Sequence, residues 1–120
     1  MSPAESNDPA KKAIWEIEST NPDIVTPVET ALREVIDPEI GLNVIELGLV
    51  RNVALKDNGE KAHVTMIMTT PFCPYAPALL EMTRSKAEEA TGKPASIEMG
   101  MELWDLSYME EGAGAEWGLF

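Results

Sequence analysis

Residues 65–82, TMIMTTPFCPYAPALLEM, join a strand pattern to a helix pattern through a proline-rich loop that contains Cys73, the only cysteine of the chain. Pro74 and Pro77 each suit the first turn of a helix, because the N–H that proline lacks has no partner there. The sequence leaves both starts open, and on either one Cys73 lies at or just before a helix N-terminus. The free N–H groups and the dipole there favour a thiolate. The alternative is a small, buried apolar side chain.

A hairpin precedes this loop. Residues 49–56 and 62–70 have the composition and alternation of strands. Residues 57–60 between them read DNGE, and Asn-Gly accepts the positive φ that a tight turn requires. The sequence therefore predicts two antiparallel strands joined by a short turn.

Two helices and a third strand complete the pattern. The sequence TPVE at residues 26–29 is a capping box, which predicts a helix that Thr26 caps and that ends near Ile36. The second helix is expected to end at Thr91, because Gly92 suits a left-handed cap. Residues 95–103 follow as a strand. Because strand–helix–strand connections are right-handed, this strand should lie parallel to the second.

The predicted fold is α+β, in the order α-β-β-α-β. We expect two layers, with a three-stranded mixed sheet and both helices on one face. Residues 1–22 are expected to form a flexible N-terminal arm, partly helical over residues 10–19, and residues 23–120 to form the domain. Ser107 and Glu110 form a second capping box, which predicts a short C-terminal helix.

Three groups of apolar side chains can either pack inside or form a contact surface. Trp15 is expected to anchor the arm on the domain, with partner binding as the alternative. The aromatic residues within 117–120 are expected to pack on the sheet; if exposed, they are a partner site. Four methionines are expected to fill the core, with an adaptable contact surface as the alternative. They are Met66, Met68, Met99 and Met101.

The composition limits the possible functions. The net charge of −12, from 21 acidic and 9 basic residues, opposes binding to nucleic acid or to an anionic membrane. No apolar run approaches the ~20 residues of a membrane span, and there is no signal-peptide core, so we expect a cytoplasmic protein. One cysteine excludes an intramolecular disulfide and a four-thiolate metal site within one chain. Two subunits can still share a metal centre.

The polar residues offer few catalytic arrangements. Glycine-rich phosphate loops and paired-cysteine motifs are absent. The acids Asp37, Glu39 and Glu46 can serve as metal ligands, but solvated charges and an aspartate that caps its own turn are favoured. His63, the only histidine, is expected to be a surface residue. It lies roughly 30 Å from Cys73 along an extended strand, which argues against a Cys–His pair.

Four motifs in order resemble those of the SufT/PaaD-like metal–sulfur cluster assembly factors. The resemblance covers about residues 26–120. The motifs are an acid–proline turn (DPEIG, 37–41), a (D/E)LGL(V/I) signature (ELGLV, 46–50), a T-x-x-x-C-P loop (TTPFCP, 69–74) and an ending with Trp104, Ser107 and WGL at 117–119.

The resemblance implies the same α-β-β-α-β fold and a role in the maturation of iron–sulfur proteins. It points to Cys73 as the functional residue, with Glu46 as the acid near it. Thr70 and Pro74 belong to the same loop, and Asp37 is a weaker candidate.

We therefore expect a non-enzymatic accessory factor without a tightly bound cofactor. Cys73 would bind iron or an iron–sulfur cluster transiently, shared with a partner or second subunit because one thiolate cannot hold a cluster, or it would contact a client. The expected partners are the iron–sulfur assembly machinery and client iron–sulfur proteins, with a homodimer as an option and neither nucleic acid nor a membrane. The alternatives are a thiol-dependent redox enzyme and a purely structural interaction domain.

Overall fold

The computed structural model describes residues 13–70 and 74–110. The fold is α+β, with a three-stranded mixed sheet of order β1-β2-β3, and the predicted order of the main elements is confirmed. The single-face placement of both helices and the domain boundary at residue 22 stay predictions. The elements are α1 (Ile17–Thr20), a 3-10 turn (Pro22–Ile24), α2 (Val25–Leu32), β1 (Val50–Lys56), β2 (Lys61–Met66), α3 (Ala76–Thr91), β3 (Ala95–Met99) and a 3-10 turn (Leu106–Tyr108).

The hairpin between β1 and β2 forms as its turn residues predict. Asp57, Asn58 and Gly59 have φ values of 54°, 60° and 87°, a conformation that asparagine, aspartate and glycine tolerate best. The strands pair antiparallel, with Lys56 opposite Lys61 at the base of the turn. A local sequence signal therefore fixes the register of this hairpin.

The long helix α3 ends where the sequence predicts and begins at the later of its two possible starts. Gly92 has φ 70°, and its N–H donates to the Glu88 carbonyl, which closes the last turn. The first helical residue is Ala76, with Pro77 in the first turn. Pro77, rather than Pro74, therefore marks the start of the helix.

β3 lies parallel to β2, as predicted, but is shorter than predicted. Val64 lies opposite Ile97. The last hydrogen bond between the two strand segments runs from the Gly100 N–H to the Met66 carbonyl at 2.8 Å. The sequence predicts a strand that continues to Leu103. Glycine contributes no side chain to a sheet and weakens a strand. After this bond, the segment that follows β3 separates from the segment that follows β2.

The bounds predicted for α2 are wrong at both ends. The helix spans Val25–Leu32 and has no side-chain cap. The 3-10 turn at Pro22–Ile24 leads directly into it, so Thr26 already lies inside the helix and cannot cap it. At the other end, Ile36 forms an isolated bridge with Asn43. This extended pairing takes Ile36 out of the helix.

The described part of the N-terminal segment packs along β1. Trp15 is buried, and its indole N–H donates to the Val50 carbonyl at 3.1 Å. The Glu16 N–H donates to Asn52 Oδ1 at 2.8 Å, and the Asn52 amide donates back to the Glu16 carboxylate at 2.8 Å. The register of β1 shifts between Val50 and Asn52. The predicted anchoring role of Trp15 is confirmed, although α1 is shorter than expected.

The four methionines divide into a buried pair and an exposed pair. Met66 and Met68 are buried, as core filling predicts. Met99 and Met101 are 47% and 96% exposed, so the prediction of burial is wrong for them. Met99 ends the last strand of the sheet and the chain leaves the sheet at Gly100, so no further layer formed by residues 13–70 or 74–110 covers these side chains.

One core joins the N-terminal segment, the helices and the sheet. Its fully buried members include Ile17, Val28, Leu32, Val53, Val64, Met66 and Leu79. Within the described residues, no helix has both the length and the apolar character needed to cross a membrane. The predicted packing of residues 117–120 lies outside the described part of the chain.

Candidate functional site

The signature motif forms a turn that its own side chains hold together. Asn43 Oδ1 accepts the N–H groups of Ile45 and Glu46 at 2.9 and 2.8 Å, and Glu46 Oε1 accepts the Asn43 N–H at 2.9 Å. This is a reciprocal capping box. The carboxylate of Glu46 is therefore fixed to its own turn, which we call the signature turn (residues 43–48).

Gly48 lets the signature turn meet the chain that follows β3. Its φ is 73°, and a Cβ at this position would overlap the carbonyl of Tyr108. Glycine alone tolerates both conditions. The guanidinium of Arg51 lies 3.9 Å from the Tyr108 ring centroid, a cation–π contact. It also donates to the Gly48 carbonyl at 3.1 Å. Packing against Tyr108 thus accounts for the glycine of the signature.

Two consecutive carbonyls of the signature turn bind the chain that follows β3. The Trp104 indole N–H donates to the Leu47 carbonyl at 2.7 Å. The Glu110 N–H donates to the Glu46 carbonyl at 2.7 Å. These bonds connect residues far apart in sequence, and they hold the segment between Trp104 and Glu110 against the turn.

The capping box predicted at Ser107 and Glu110 does not form. The carboxylate of Glu110 instead binds the Arg33 guanidinium through two hydrogen bonds of 3.0 and 2.6 Å, and this pairing raises the pKa of Arg33. Asp105 takes the capping role, because its carboxylate accepts the Ser107 N–H at 2.9 Å and the Ser107 hydroxyl. A single 3-10 turn, Leu106–Tyr108, stands at the start of the predicted helix.

Asp37 is buried, with 1% of its surface exposed, and it stabilises its own turn. Its Oδ1 accepts the Glu39 N–H at 2.9 Å, and its carbonyl accepts the Gly41 N–H at 2.7 Å. The predicted local cap is confirmed. A part for Asp37 in a functional site stays a prediction.

A groove of about 380 Å³ opens where β2 and β3 separate. β2 ends at Met66, short of the predicted Thr70, and one residue beyond it the Ile67 N–H still donates to the Leu49 carbonyl at 2.8 Å. In open sheets, the carboxyl ends of neighbouring parallel strands are a common place for ligands. The groove is lined on one side by Met68 and Thr70, at the start of α3 by Ala76, and on the other side by Met99, Met101 and Trp104.

Described residues before and after Cys73, in the T-x-x-x-C-P loop and at the start of α3, line this groove. Thr70 and Ala76 both line it, and Pro74 is exposed just before α3. Cys73 lies between them in sequence, outside the described residues. Its position at a helix N-terminus and its nearness to Glu46 therefore stay predictions.

The two predicted acids do not line the groove. The Glu46 and Asp37 carboxylates accept hydrogen bonds from backbone N–H groups of their own turns. Among the described residues, the link from Glu46 to the groove is indirect: Trp104 lines the groove and binds the carbonyl of Leu47, the neighbour of Glu46. The sequence did not predict this link; the tryptophan of the ending was the one signal that pointed to it.

The titratable residues of the described segments form no metal site by themselves. Among residues 13–70 and 74–110, no three His, Cys, Asp or Glu side chains converge to hold a metal ion. His63 uses both ring nitrogens within the sheet: Nδ1 lies 2.7 Å from Ser96 Oγ, and Nε2 lies 3.3 Å from the Glu98 carboxylate.

Comparison with known proteins identifies the family. The family model of the iron–sulfur cluster assembly proteins matches residues 26–99, and the chain belongs to this family. It is similar to an Fe-S protein maturation auxiliary factor of Porphyromonas gingivalis, with 42% identity over 89 residues, which are 72% of this chain and 84% of that protein. The auxiliary factor YitW of Bacillus subtilis is 41% identical over 51 residues, which are 42% of this chain and 49% of that protein.

A solved structure shows the same fold. A domain of unknown function from Bacillus anthracis superposes with a TM-score of 0.73, covers 86% of this chain and 99% of its own, and is 24% identical. The resemblance to cluster assembly factors that the sequence motifs indicate is confirmed by the family match and the relatives.

Proposed function

We propose that this protein is a non-catalytic accessory factor in iron–sulfur cluster assembly or in the maturation of iron–sulfur proteins. One observation carries the proposal: the family match over residues 26–99, which spans the signature turn and the loop of Cys73. Relatives that are named Fe-S protein maturation auxiliary factors support it. Iron or the cluster is cargo that the factor passes on to a client protein.

Cys73 supplies the sulfur in this proposal. A thiolate is a soft ligand that suits iron and iron–sulfur clusters. The chain has one cysteine, so the remaining ligands come from a partner or a second subunit. If Cys73 is not a ligand, it contacts the client directly.

The surface beside the loop supports a contact with a client. The groove next to Thr70 and Ala76 presents Met99 and Met101, which are exposed. Methionine side chains adapt to differently shaped partners.

Anaerobic reconstitution tests the ligand role. The wild-type protein with ferrous iron and sulfide should show thiolate-to-iron absorption, and Cys73→Ala should lack it. Thr30→Ala, an exposed change on α2, is the matched control and should behave as wild type. Identical spectra for wild type and Cys73→Ala would remove the ligand role and leave the client contact.

Cluster content in cells tests the function itself. A strain that carries only Cys73→Ala should contain less iron and sulfide in its iron–sulfur proteins than a strain with Thr30→Ala. Unchanged cluster content in a strain that lacks the whole protein would contradict the proposal.

The redox-enzyme alternative requires a base beside the thiol. His63 is engaged with Ser96 and Glu98 in the sheet, which weakens this alternative. The rate of alkylation of Cys73 against pH separates the two: a thiol that titrates at its ordinary value, near ~8.5, would contradict the enzyme.

A further inference from the structure

β3 has an outer edge whose backbone groups point away from the sheet. The Pro94 carbonyl accepts a bond from β2 at 2.9 Å, and the Gly100 N–H donates to β2 at 2.8 Å. Successive residues of a strand alternate in the direction of their backbone groups. Between these two fixed points, Ile97 and Met99 therefore direct their N–H and C=O groups outward.

Among residues 13–70 and 74–110, nothing pairs with this edge over most of its length. In the described part of the chain, its one backbone contact is at the start, where Arg84 donates to the Ala95 carbonyl at 3.3 Å. Past the strand, Met101 and Leu103 are 96% and 83% exposed, and their N–H groups donate to no described backbone carbonyl. Between Ile97 and Leu103 the sequence has none of the lysines or prolines that usually protect an edge strand.

The side chains along the edge alternate between apolar and acidic. Ile97 packs against the core and Met99 is half exposed. On the other face, Glu98 is exposed and meets His63, and Glu102 beyond the strand is exposed and pairs with Arg51. An added strand would place every second residue beside the apolar groups and the others beside the carboxylates.

We propose that the outer edge of β3 binds an extended segment of a partner protein in which apolar residues alternate with lysine or arginine. Main-chain bonds to Ile97 and Met99 supply the affinity, and the alternation supplies the specificity. The groove at the end of the strand takes an apolar side chain of the segment between Met99 and Trp104.

Charge decides between such a segment and a second copy of this chain. Each copy carries a net charge of −12, and pairing of two β3 edges would bring their carboxylates together. Like charges across a strand pair are destabilising, whereas a basic segment gains from the same field. The proposal goes beyond the proposed function, because it uses no property of Cys73.

A synthetic peptide tests the proposal on the full-length protein. The probe has capped ends, is about eight residues long, and alternates valine with lysine and threonine; a second peptide has glutamate in place of lysine. The lysine peptide should bind and should slow hydrogen exchange at the Ile97 and Met99 amides. The glutamate peptide should bind at least about tenfold more weakly.

A proline variant isolates the main-chain contact. Met99→Pro removes an N–H that points outward, so it leaves the ladder to β2 intact, and it should weaken peptide binding at least about tenfold. Met99→Leu keeps the N–H and the bulk, and should bind as wild type. Thermal unfolding of both variants shows whether the fold is retained. Glu98→Lys, which leaves the edge backbone free, should reverse the preference between the two peptides.

Each outcome of these experiments either supports the proposal or overturns it. Binding that Met99→Pro lowers and Met99→Leu retains supports the proposal. Binding without amide protection at Ile97 and Met99, equal binding of both peptides, or no binding overturns it. Protection of the edge without peptide, together with dimers in sedimentation, assigns the edge to a second copy instead. Cys73→Ala should bind the peptide as wild type, so failure here leaves the proposed function untouched.

Discussion

The two outer edges of the sheet are treated differently. At β1, Trp15 and Glu16 bond to Val50 and Asn52 and cover the edge where the register shifts. At β3, Ile97 and Met99 leave their outward backbone groups open within the described chain. An uncovered edge exposes a protein to unwanted pairing. Within the described residues, the N-terminal segment covers the start of the β1 edge and no backbone bond covers the β3 edge at Ile97 and Met99, so the β3 edge is the one that we propose for a partner.

Removal of the β1 cover, the contacts of Trp15 and Glu16 with β1, should have the largest effect on the free energy of unfolding. Trp15→Ala deletes a buried indole and its bond to Val50, and should lower the free energy of unfolding by about 3 kcal/mol. Met99→Ala at the open edge should change it by less than about 0.5 kcal/mol. Urea unfolding followed by circular dichroism measures both. Similar losses for the two variants would mean that the edges do not differ as the structure indicates.

A change at Gly48 should come next, because the segment beyond the open edge is held by the signature turn and not by strand pairing. Gly48→Ala should destabilise the protein by about 2 to 3 kcal/mol, since the added Cβ meets Tyr108 in a positive-φ conformation. Gly41→Ala is the control, with φ 86° and no atom within 4 Å, and should lose about 1 kcal/mol. Equal losses in thermal unfolding would argue against the contact with Tyr108.

The polar half of the β1 cover should contribute less. Asn52→Ala removes both bonds to Glu16, which lie near solvent, and should lower stability by about 1 kcal/mol. Hydrogen exchange at the Glu16 amide should accelerate in this variant, while the Ile97 amide stays unchanged. Faster exchange at both amides would show that the two edges are coupled.

The smallest effect concerns the one contact at the start of the β3 edge. Arg84, which reaches the Ala95 carbonyl, is held by Glu81 at 2.6 Å, and this hydrogen bond lowers the pKa of Glu81. A carboxylate whose pKa is lowered by folding stabilises the folded state at pH values above the ordinary pKa of glutamate. This stabilisation disappears as the pH falls through the lowered pKa.

Glu81→Gln should therefore be slightly less stable than wild type at neutral pH and equal to it in strong acid. Unfolding midpoints across this pH range measure the difference. Because Glu81 is exposed, the difference should be near the limit of detection. A difference that grows on acidification would contradict the assigned cause.

Local signals in the sequence were sufficient for the hairpin turn and for the end of α3. The turn at DNGE and the helix cap at Gly92 depend only on the backbone conformations of their own residues. The predicted caps failed where another contact decided the outcome: Thr26 is preceded by a 3-10 turn, and Glu110 binds Arg33 across the molecule. The pairing of Glu110 with the distant Arg33 is not encoded in a short window of sequence.

The candidate site shows the same division. The motifs predicted the family, but not the hydrogen bonds between Asn43 and Glu46 that hold the signature turn. The exposure of Met99 and Met101 was not predicted, because a period-two pattern does not tell whether a second layer covers the strand. The groove also depends on Trp104 reaching Leu47, a pairing that only the folded chain reveals.

The bond between Trp104 and Leu47 spans 57 positions of the chain, and this has a consequence for biosynthesis. A ribosome completes the carbonyl of Leu47 long before it adds its indole partner. The growing polypeptide therefore lacks the Trp104 wall of the groove until that residue has been added. If clients bind in the groove as proposed, they engage only chains to which Trp104 has already been added.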